Sequence, residues 1–457
     1  MALAPGRSPN MVFVPVASDH PGSLSAQITS VAGREIVLVE VSGEHRRGAI
    51  SEADGHTFAA AAEHALAAGL PLLATIASSG ADVNDGVAAL HGWGTAARML
   101  ARCSGRVPVL IAATGPVVSG PALLLGLADQ VVMTEEAYAF VSGPRMVETF
   151  TGEAVEAMEL GGAGIHASMT GVAALVVADI SAAKQALFDL LAYLPSVIDE
   201  EPPRWWTDDP VDRPTPEAGA CIPASPTGAY DVREVAASIV DDGDLLELRP
   251  HWAPNLVTAL ATIGGRPVGI VANQPMSIAG TLDIPASQKG ARFVAFCDAF
   301  GLPLLTLVDT PGFYPGKDLE WRGMIRHGAQ LAFAYARASV PRVAVVLRKA
   351  YGGAYIVMDC RSMGSDLYLA WPSAEIAVMG ARGAVEILHR SETPERREEL
   401  EAEYEERFLN PYVAADRGFV DAVIDPTDTR REVAAAFDLL ATKRESLGNR
   451  KHDNTPL

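Results

Sequence analysis

Two glycine-containing turns are the parts of this sequence best suited to chemistry by the backbone. They read VSGPA at 118–122, which we call the Gly120 turn, and KAYGGAY at 349–355, the Gly353 turn. Each follows an apolar, strand-like run and precedes an apolar segment, so a helix starting there would direct unpaired N–H groups outward. Such groups could form an oxyanion hole, which stabilises negative charge developing on an oxygen atom.

The two turns occupy equivalent places in an internal repeat. The segment GLPLL at 69–73 recurs at 301–305, and Gly33-Arg34 recurs as Gly265-Arg266 at the same offset of 232 residues. Val107-Pro108 recurs as Val340-Pro341, one residue further on. Matches at nearly one offset predict two copies of one domain.

Each copy alternates short apolar runs with longer helical ones. EIVLVEV, PLLATIA and VPVLIAA are the predicted strands of the first copy, and PVGIVANQP, PLLTLVD and RVAVVLR those of the second. This alternation predicts an α/β fold with a largely parallel, buried sheet in each copy. We expect domains at 20–200 and 230–445. The Pro- and Asp-rich stretch 201–229 is predicted to be an exposed linker.

Composition excludes several functional classes. The chain has 457 residues, 49% of them hydrophobic, and a formal net charge of −20, which argues against general nucleic-acid or anionic-membrane binding. Its four scattered cysteines show no metal-ligand spacing, so no metal site is predicted and a reducing, cytoplasmic location is expected. No signal peptide or membrane span is expected.

Long segments of the chain resemble the carboxyltransferase (beta) subunits of biotin-dependent acyl-CoA carboxylases, of the propionyl-CoA or acetyl-CoA type. The resemblance rests on GRPVGIVANQPMSIAGTLDIPASQKGARFVAFCDAF, VDTPGFYPG, RKAYGGAYIVMDCRSMGSDLYLAWPSAEIAVMGARGAV and TKRESLGNRKHDNTPL, and more loosely on FVSGPRMVETFTGE and ELGGAGIHASMTGVA. It implies two tandem crotonase-like domains, the first for acyl-CoA and the second for biotin. It also implies carboxyl transfer from carboxybiotin on a partner subunit to the α-carbon of an acyl-CoA, without a metal. Dimers or hexamers are implied, with active sites formed between neighbouring chains.

The resemblance assigns roles to particular residues. Gly353 and Ala354 match one anion hole, and Ser119 and Gly120 match the other. Ile356 falls where the family sets acyl preference, and Tyr355 beside it is expected to contact the substrate. Gly352, Gly312 and Phe313 are expected on the biotin side. Arg46 and Arg47 are candidate substrate contacts.

The first half departs from the family, which leaves alternatives open. Pro121 replaces an alanine and has no N–H, Asp82 replaces a basic residue, and Arg46 and Arg47 replace an aromatic residue and a glycine. The acyl partner is therefore an ordinary CoA ester, an unusual one, or an acyl group on a carrier protein. A malonyl-type thioester decarboxylase and a non-catalytic paralogue are alternative functions. The Gly120 turn also resembles the nucleophile segment of Clp-type serine proteases, with Ser119 as the nucleophile, although no histidine follows at the expected distance.

Overall fold

The computed structural model describes residues 12–13, 22–225, 227–443, 445, 447–448 and 454–456. The chain separates into two compact units, with the division between Pro202 and Pro203. Each unit combines one sheet with surrounding helices, so the predicted α/β class is confirmed.

Among its described residues, the first unit has eight strands and six α-helices. Its strands are β1 (Val12–Phe13), β2 (Leu24–Val31), β3 (Arg34–Val41), β4 (Leu72–Ser78), β5 (Val109–Val118), β6 (Gln130–Thr134), β7 (Tyr138–Phe140) and β8 (Leu175–Val177). Its helices are α1 (Glu52–Ala68), α2 (Val87–Cys103), α3 (Pro144–Thr151), α4 (Ala157–Gly161), α5 (Ala163–Ile165) and α6 (Ile180–Ala192).

The second unit repeats the strand pattern and adds helices. Its strands are β9 (Leu246–Glu247), β10 (Leu256–Ile263), β11 (Arg266–Asn273), β12 (Leu304–Thr310), β13 (Arg342–Tyr351), β14 (Leu367–Ala370), β15 (Glu375–Ala377) and β16 (Ala422–Val423). Its helices are α7 (Pro216–Ala220), α8 (Val232–Ile239), α9 (Ile284–Ala299), α10 (Lys317–Trp321), α11 (Met324–Arg337), α12 (Gly352–Val357), α13 (Ala381–Leu388), α14 (Pro394–Phe408), α15 (Pro411–Asp416) and α16 (Thr429–Leu439).

The two sheets have the same topology. The strand orders are β1-β2-β3-β4-β5-β6-β8 and β16-β14-β13-β12-β11-β10-β9, with β7 pairing β5 and β15 pairing β13. An antiparallel hairpin leads into a parallel run in both: β2 with β3, then β4, β5 and β6, and β10 with β11, then β12, β13 and β14. The predicted duplication therefore extends to strand pairing.

An irregularity in strand pairing recurs at the same place in each sheet. The register shifts between Ile76 and Ser78 where β4 meets β5, and between Val308 and Thr310 where β12 meets β13. Such shifts end regular pairing and bend the strand. In both sheets the longer strand of the pair continues beyond the shift and ends at one of the two glycine-containing turns.

Apolar strand residues and the helices beside them form a separate core in each unit. The first includes Val39, Ile76 and Ile111 with Phe58 and Leu100 from α1 and α2, and the second includes Ile270, Leu307 and Val345 with α8 and α16. The central strands β4 and β12 are buried along nearly their whole length, because helices or loops cover both faces of the sheet there. Within the described residues, no helix is long and apolar enough to cross a membrane.

The stretch 201–229, predicted as an exposed linker, is mostly exposed or half-buried and contacts the rest of the second unit at several points. Trp205 donates its backbone N–H to the Gly265 carbonyl oxygen (2.7 Å), and Thr215 is fully buried with its hydroxyl bonded to Pro426 O (3.0 Å). Helix α7 packs there with Ala218 fully buried. The frequent Pro and Asp residues break regular structure without preventing burial. Trp206 remains 82% exposed.

Candidate active site

The Gly353 turn lies where strand β13 passes directly into helix α12. Gly352 has a φ of +58°, a conformation that glycine adopts freely, and a side chain there would place its Cβ 3.1 Å from the Val378 carbonyl oxygen. Gly353 and Ala354 then stand in the first helical turn, where N–H groups have no intrahelical partner. Gly353 is exposed and Ala354 is buried, so solvent reaches the turn at Gly353.

The structure brings the predicted biotin-side residues Gly312 and Phe313 next to this turn. The Phe313 ring lies 3.4 Å from the position a Gly353 Cβ would take, and it also packs at 3.3 Å from the corresponding position at Gly328 in α11. Gly312 has a φ of +143° and accepts a hydrogen bond from Leu282 N (3.1 Å). Gly353 therefore lies beside an aromatic ring that two neighbouring elements hold in place.

Tyr355 and Ile356 continue from the same turn. Tyr355 packs edge-on against Tyr368 with ring centroids 6.0 Å apart, and burial raises the pKa of Tyr355 to about 12. Its hydroxyl is therefore protonated near neutral pH. Ile356 is 37% exposed, so it is not an ordinary buried core residue.

A buried polar network supports the end of β13 just before the turn. Asp309 accepts hydrogen bonds from Tyr230 Oη (2.8 Å), Arg348 Nε (3.0 Å) and Lys349 N (3.1 Å). Tyr351 donates its hydroxyl to Glu375, which begins β15. Burial, together with that bond to Glu375, raises the pKa of Tyr351 above its ordinary value. These contacts fix the strand end that presents Gly353.

The Gly120 turn of the first unit has matching geometry but fewer available donors. Ser119 has a φ of +64°, close to that of the equivalent Gly352, although serine rarely adopts this conformation. Its N–H is donated to the Phe140 carbonyl oxygen (2.9 Å), so the Ser119 amide is already paired. Pro121 has no N–H. The turn has two predicted donors, Ser119 and Gly120. Outside the helical turn itself, the Gly120 N–H has no backbone acceptor among the described residues, so it is the donor that is available.

Trp93 of α2 packs directly against Gly120. A Cβ on Gly120 would lie 2.8 Å from Cε2 and from Cζ2 of the indole, so no side chain fits there without displacing the ring. Gly80, in the loop after β4, lies on the other side, with its Cβ position 3.1 Å from Ser119 Cβ. The Gly120 turn is therefore enclosed by α2 and by the loop after β4.

Arg46 and Asp82, two of the departures from the family, form an ion pair with each other. Arg46 Nη1 lies 2.7 Å from Asp82 Oδ2, and the Asp82 side chain is 3% exposed. The hydrogen bond from the Asn84 N–H lowers the pKa of Asp82, burial raises it, and Arg46 lowers it further. The net pKa of Asp82 is below its usual range. The charge of Arg46 is thus offset, which weakens its predicted role as a substrate contact. Arg47 is exposed, and its carbonyl oxygen accepts from Ser79 N (3.0 Å), next to Gly80.

A cavity of about 480 Å³ opens near these residues, where β3 and β4 end. His45, Ala77, Thr114 and Lys184 contribute to its wall, whereas Ser119 and Gly120 do not. Ligands of α/β domains commonly bind at the carboxyl ends of strands. The cavity lies beside the loop that carries Arg46 and Arg47.

Among the described residues, no base is hydrogen-bonded to Ser119, as the serine-nucleophile alternative would require. The Ser119 hydroxyl makes no hydrogen bond to any described residue. His166, the first histidine after it, uses both ring nitrogens elsewhere, with Ala139 O (2.8 Å) and Thr170 Oγ1 (2.8 Å). An activated serine needs a base within hydrogen-bond reach.

Sequence reasoning missed the residues that support the turns. Asp309 and Arg348 are charged residues buried in strands that are mostly apolar, and a charge in a buried run signals a paired network. Trp93 carried no such signal, because an aromatic residue on a helix is most often ordinary core.

Residues 19–455 match the model of the carboxyl transferase domain family. The chain belongs to this family. It is 43% identical over 432 residues to a propionyl-CoA carboxylase beta chain from Roseobacter denitrificans, covering 94% of this chain and 84% of that one. It is also 41% identical over 417 residues to a methylmalonyl-CoA decarboxylase subunit alpha from Propionigenium modestum, covering 90% and 81%.

A solved structure of transcarboxylase 12S matches with a TM-score of 0.94 and 43% identity, covering 95% of this chain and 85% of that one. That protein forms a hexamer assembly, and its structure has methylmalonyl-coenzyme A and methylmalonic acid bound. The predicted family, the two crotonase-like domains and the carboxyltransferase class are confirmed by these matches. The roles of individual residues stay predictions.

Proposed function

We propose that this chain transfers a carboxyl group between carboxybiotin on a partner subunit and the α-carbon of an acyl-CoA or related acyl thioester. The observation that carries the proposal is the pair of equivalent turns, each presenting a backbone N–H at the end of a central strand. Carboxyl transfer to an α-carbon passes through a thioester enolate, and neutral amide donors stabilise its oxygen without acid–base side chains.

The proposal divides the work between the two units. In the first, the Gly120 N–H faces the thioester oxygen. Arg47, which forms no ion pair with a described residue, contacts an anionic part of the substrate. In the second, Gly353 and Ala354 donate to the biotin carbonyl oxygen beside Phe313, while Gly312 and Gly352 shape the approach. Bound carboxybiotin supplies the carboxyl group and, once CO2 leaves it, the base for the α-proton. Tyr355 and Ile356 line the acyl side.

The proposal includes two kinds of partner. A biotin carrier subunit is required, because the family matched here acts within biotin-dependent complexes and the proposed chemistry consumes carboxybiotin. Self-association as dimers or hexamers is the second, supported by the hexamer named for transcarboxylase 12S.

Decarboxylation of a malonyl-type thioester is the second candidate. It is favoured by the 41% identity to a methylmalonyl-CoA decarboxylase subunit alpha. It uses the same enolate and the same amide donors, so the turns alone do not separate the two reactions.

The reverse half-reaction tests the proposal directly. Purified protein is incubated with methylmalonyl-CoA or malonyl-CoA, with and without free biotin, and the thioesters are followed by mass spectrometry. We expect propionyl-CoA or acetyl-CoA to form only when biotin is present, because the departing carboxyl group needs an acceptor. Product without biotin would favour the decarboxylase. Failure of both esters under both conditions would contradict transfer to ordinary CoA esters and favour a carrier-bound acyl group or a non-catalytic paralogue.

A further inference from the structure

Two histidines and a glutamate meet on the outer side of helices α1 and α2. Glu52 and His56 stand one turn apart on α1, and His91 reaches them from α2. Ligand atoms from the three side chains all lie within 4.8 Å of one another, and the two imidazole rings meet edge to face with centroids 5.7 Å apart. None of the three side chains hydrogen-bonds to a residue in the described part of the chain.

The helices are held rigidly at this point by a close glycine contact. A Cβ on Gly55 would lie 2.1 Å from the Gly92 carbonyl carbon, and a Cβ on Gly92 would lie 2.8 Å from Glu52 Cα. The two backbones therefore touch directly, and His56 and His91 are the immediate neighbours of the touching glycines. Ser51 caps α1 in a reciprocal pair with Asp54, which fixes the first turn that carries Glu52. Ligands on such a frame are preorganised for a metal.

We infer that Glu52, His56 and His91 bind a divalent metal ion of the zinc type. Two imidazoles and one carboxylate suit borderline ions such as Zn²⁺ or Co²⁺, with a fourth position left for water. Bonds to such an ion are about 2.0–2.2 Å long, so side-chain rotations of roughly an ångström bring the three ligand atoms into range. Both histidines are exposed, which leaves a path for the ion from solution.

The sequence pattern predicted no metal because the ligands come from two helices that are distant in the chain. The site is also separate from the carboxyl-transfer proposal, since none of its residues is assigned to either turn. Its expected effect is mechanical, because an ion would join α1 to α2. Helix α2 carries Trp93, whose ring packs against Gly120, so the ion would also steady the helix behind the Gly120 turn.

Zinc binding to the full-length chain tests the inference without reference to activity. Protein stripped with a chelator is titrated with Zn²⁺ by calorimetry, alongside His56→Asn, His91→Asn and the double variant. His64→Asn is the matched control, because His64 lies two turns further along α1 and outside the cluster. We expect one saturable equivalent in the wild type and in the control. Each ligand variant should weaken binding by at least about tenfold, and the double variant should abolish that step.

Two results would overturn the inference: a wild-type chain that takes up no saturable equivalent, or a double variant that binds as the wild type does. Thermal unfolding without metal serves as the check on folding, since asparagine keeps a polar side chain at exposed positions. With saturating Zn²⁺, the wild type and the control should gain several degrees in melting temperature and the double variant none. Equal gains in all chains would assign the effect to other zinc ligands.

Discussion

At the scale of single residues, the absence of a side chain decides what the two turns can do. Gly120 lies with its Cα against the Trp93 indole, and Gly352 takes a φ of +58° beneath the Val378 carbonyl oxygen. Gly120 needs the absence of a side chain for space, and Gly352 needs it for its backbone conformation. Gly120 thereby orients its own N–H group, and Gly352 orients the N–H group of Gly353. Ser119 is the exception, because it tolerates φ +64° while its amide is tied to Phe140.

Gly120→Ala is expected to remove most carboxyl-transfer activity. The new methyl group would lie 2.8 Å from the Trp93 ring, so the turn must move, and the Gly120 amide must move with it. Loss of one oxyanion donor typically costs about 100-fold or more in kcat. The measurement is biotin-dependent formation of propionyl-CoA from methylmalonyl-CoA.

Gly126→Ala is the control for this substitution. Gly126 lies in the same helical segment, and a Cβ there meets nothing within 4 Å. It should keep nearly full activity. Equal activity of the two variants would show that the Gly120 amide does not take part.

Residue identities in the turns were predictable, whereas their partners were not. The repeat in the sequence located Gly120 and Gly353, because matching segments occur at a constant offset. Pairing between distant side chains leaves no such trace: Arg46 and Asp82 looked like two separate departures and prove to be one ion pair. Likewise, the Phe140 carbonyl oxygen that accepts the Ser119 N–H belongs to β7, a strand too short to recognise from its residues.

At the scale of elements, one buried arginine of helix α16 forms hydrogen bonds to several segments of the second unit. Arg430 is fully buried and donates to Asp241 Oδ1 (2.7 Å), Ile239 O (2.7 Å) and Pro210 O (3.0 Å). Asp241 in turn accepts from the N–H groups of Gly264 (2.9 Å) and Gly265 (2.8 Å), in the turn between β10 and β11. These bonds attach the stretch around Pro210 to the second unit.

Arg430→Met is expected to destabilise the second unit strongly. Removing one partner of a buried ion pair leaves Asp241 and several carbonyl groups without their donor, which typically costs about 3–5 kcal/mol. Arg431→Met is the matched control, because Arg431 is half-exposed and its pairs with Asp428 and Glu432 lie at the surface. That control should cost less than about 1 kcal/mol. Urea unfolding of the two variants measures both, and similar losses would contradict the assigned role.

Asp241 also makes a contribution to stability that depends on pH. Burial raises the pKa of this carboxyl group, but the Gly265 N–H, Arg430 and the Gly264 N–H outweigh it, so the pKa is below its ordinary value. A carboxylate with a lowered folded-state pKa stabilises the fold above the unfolded pKa of about 3.9 and loses that contribution as pH falls through the folded value.

The stability difference between wild type and Asp241→Asn should therefore be largest at neutral pH and shrink below about pH 4. Unfolding by urea at a series of pH values measures this difference. Asp244→Asn, an exposed neighbour, is the control and should follow the wild-type curve. A difference that stays constant down to pH 3 would show that folding does not lower the pKa of Asp241.

At the scale of the whole molecule, duplication gives each chain two units with the same sheet and two different turns. The predicted strands, the predominantly parallel order and the approximate division of the chain follow from apolar runs that alternate with helices. The hairpin strands β2 and β10 were not predicted from the sequence. Strand β10 is buried along its whole length, so it has no alternating pattern of polar and apolar residues. Nor does one chain's sequence specify whether its own two turns serve the same reaction site.

Mixing two inactive variants tests whether the site combines the first unit of one chain with the second unit of its neighbour. Gly120→Ala alters only the first-unit turn, and Gly352→Ala alters only the second, where φ +58° and the Val378 carbonyl oxygen disfavour a side chain. In a symmetric dimer that holds one chain of each kind, one site carries both changes and the other carries neither. Random pairing makes about half of the dimers mixed, so roughly a quarter of wild-type activity should return on co-expression.

Sites contained within single chains would give no such recovery, because every chain in the mixture carries one change. Co-expressed Gly126→Ala and Gly352→Ala chains calibrate the assay, since a chain with an unaltered first-unit turn and an unaltered second-unit turn is then always present. Activity at the level of the separate variants would place each reaction within one chain. Recovery would show that the neighbouring copy completes the site, and that assembly of chains is a condition of carboxyl transfer.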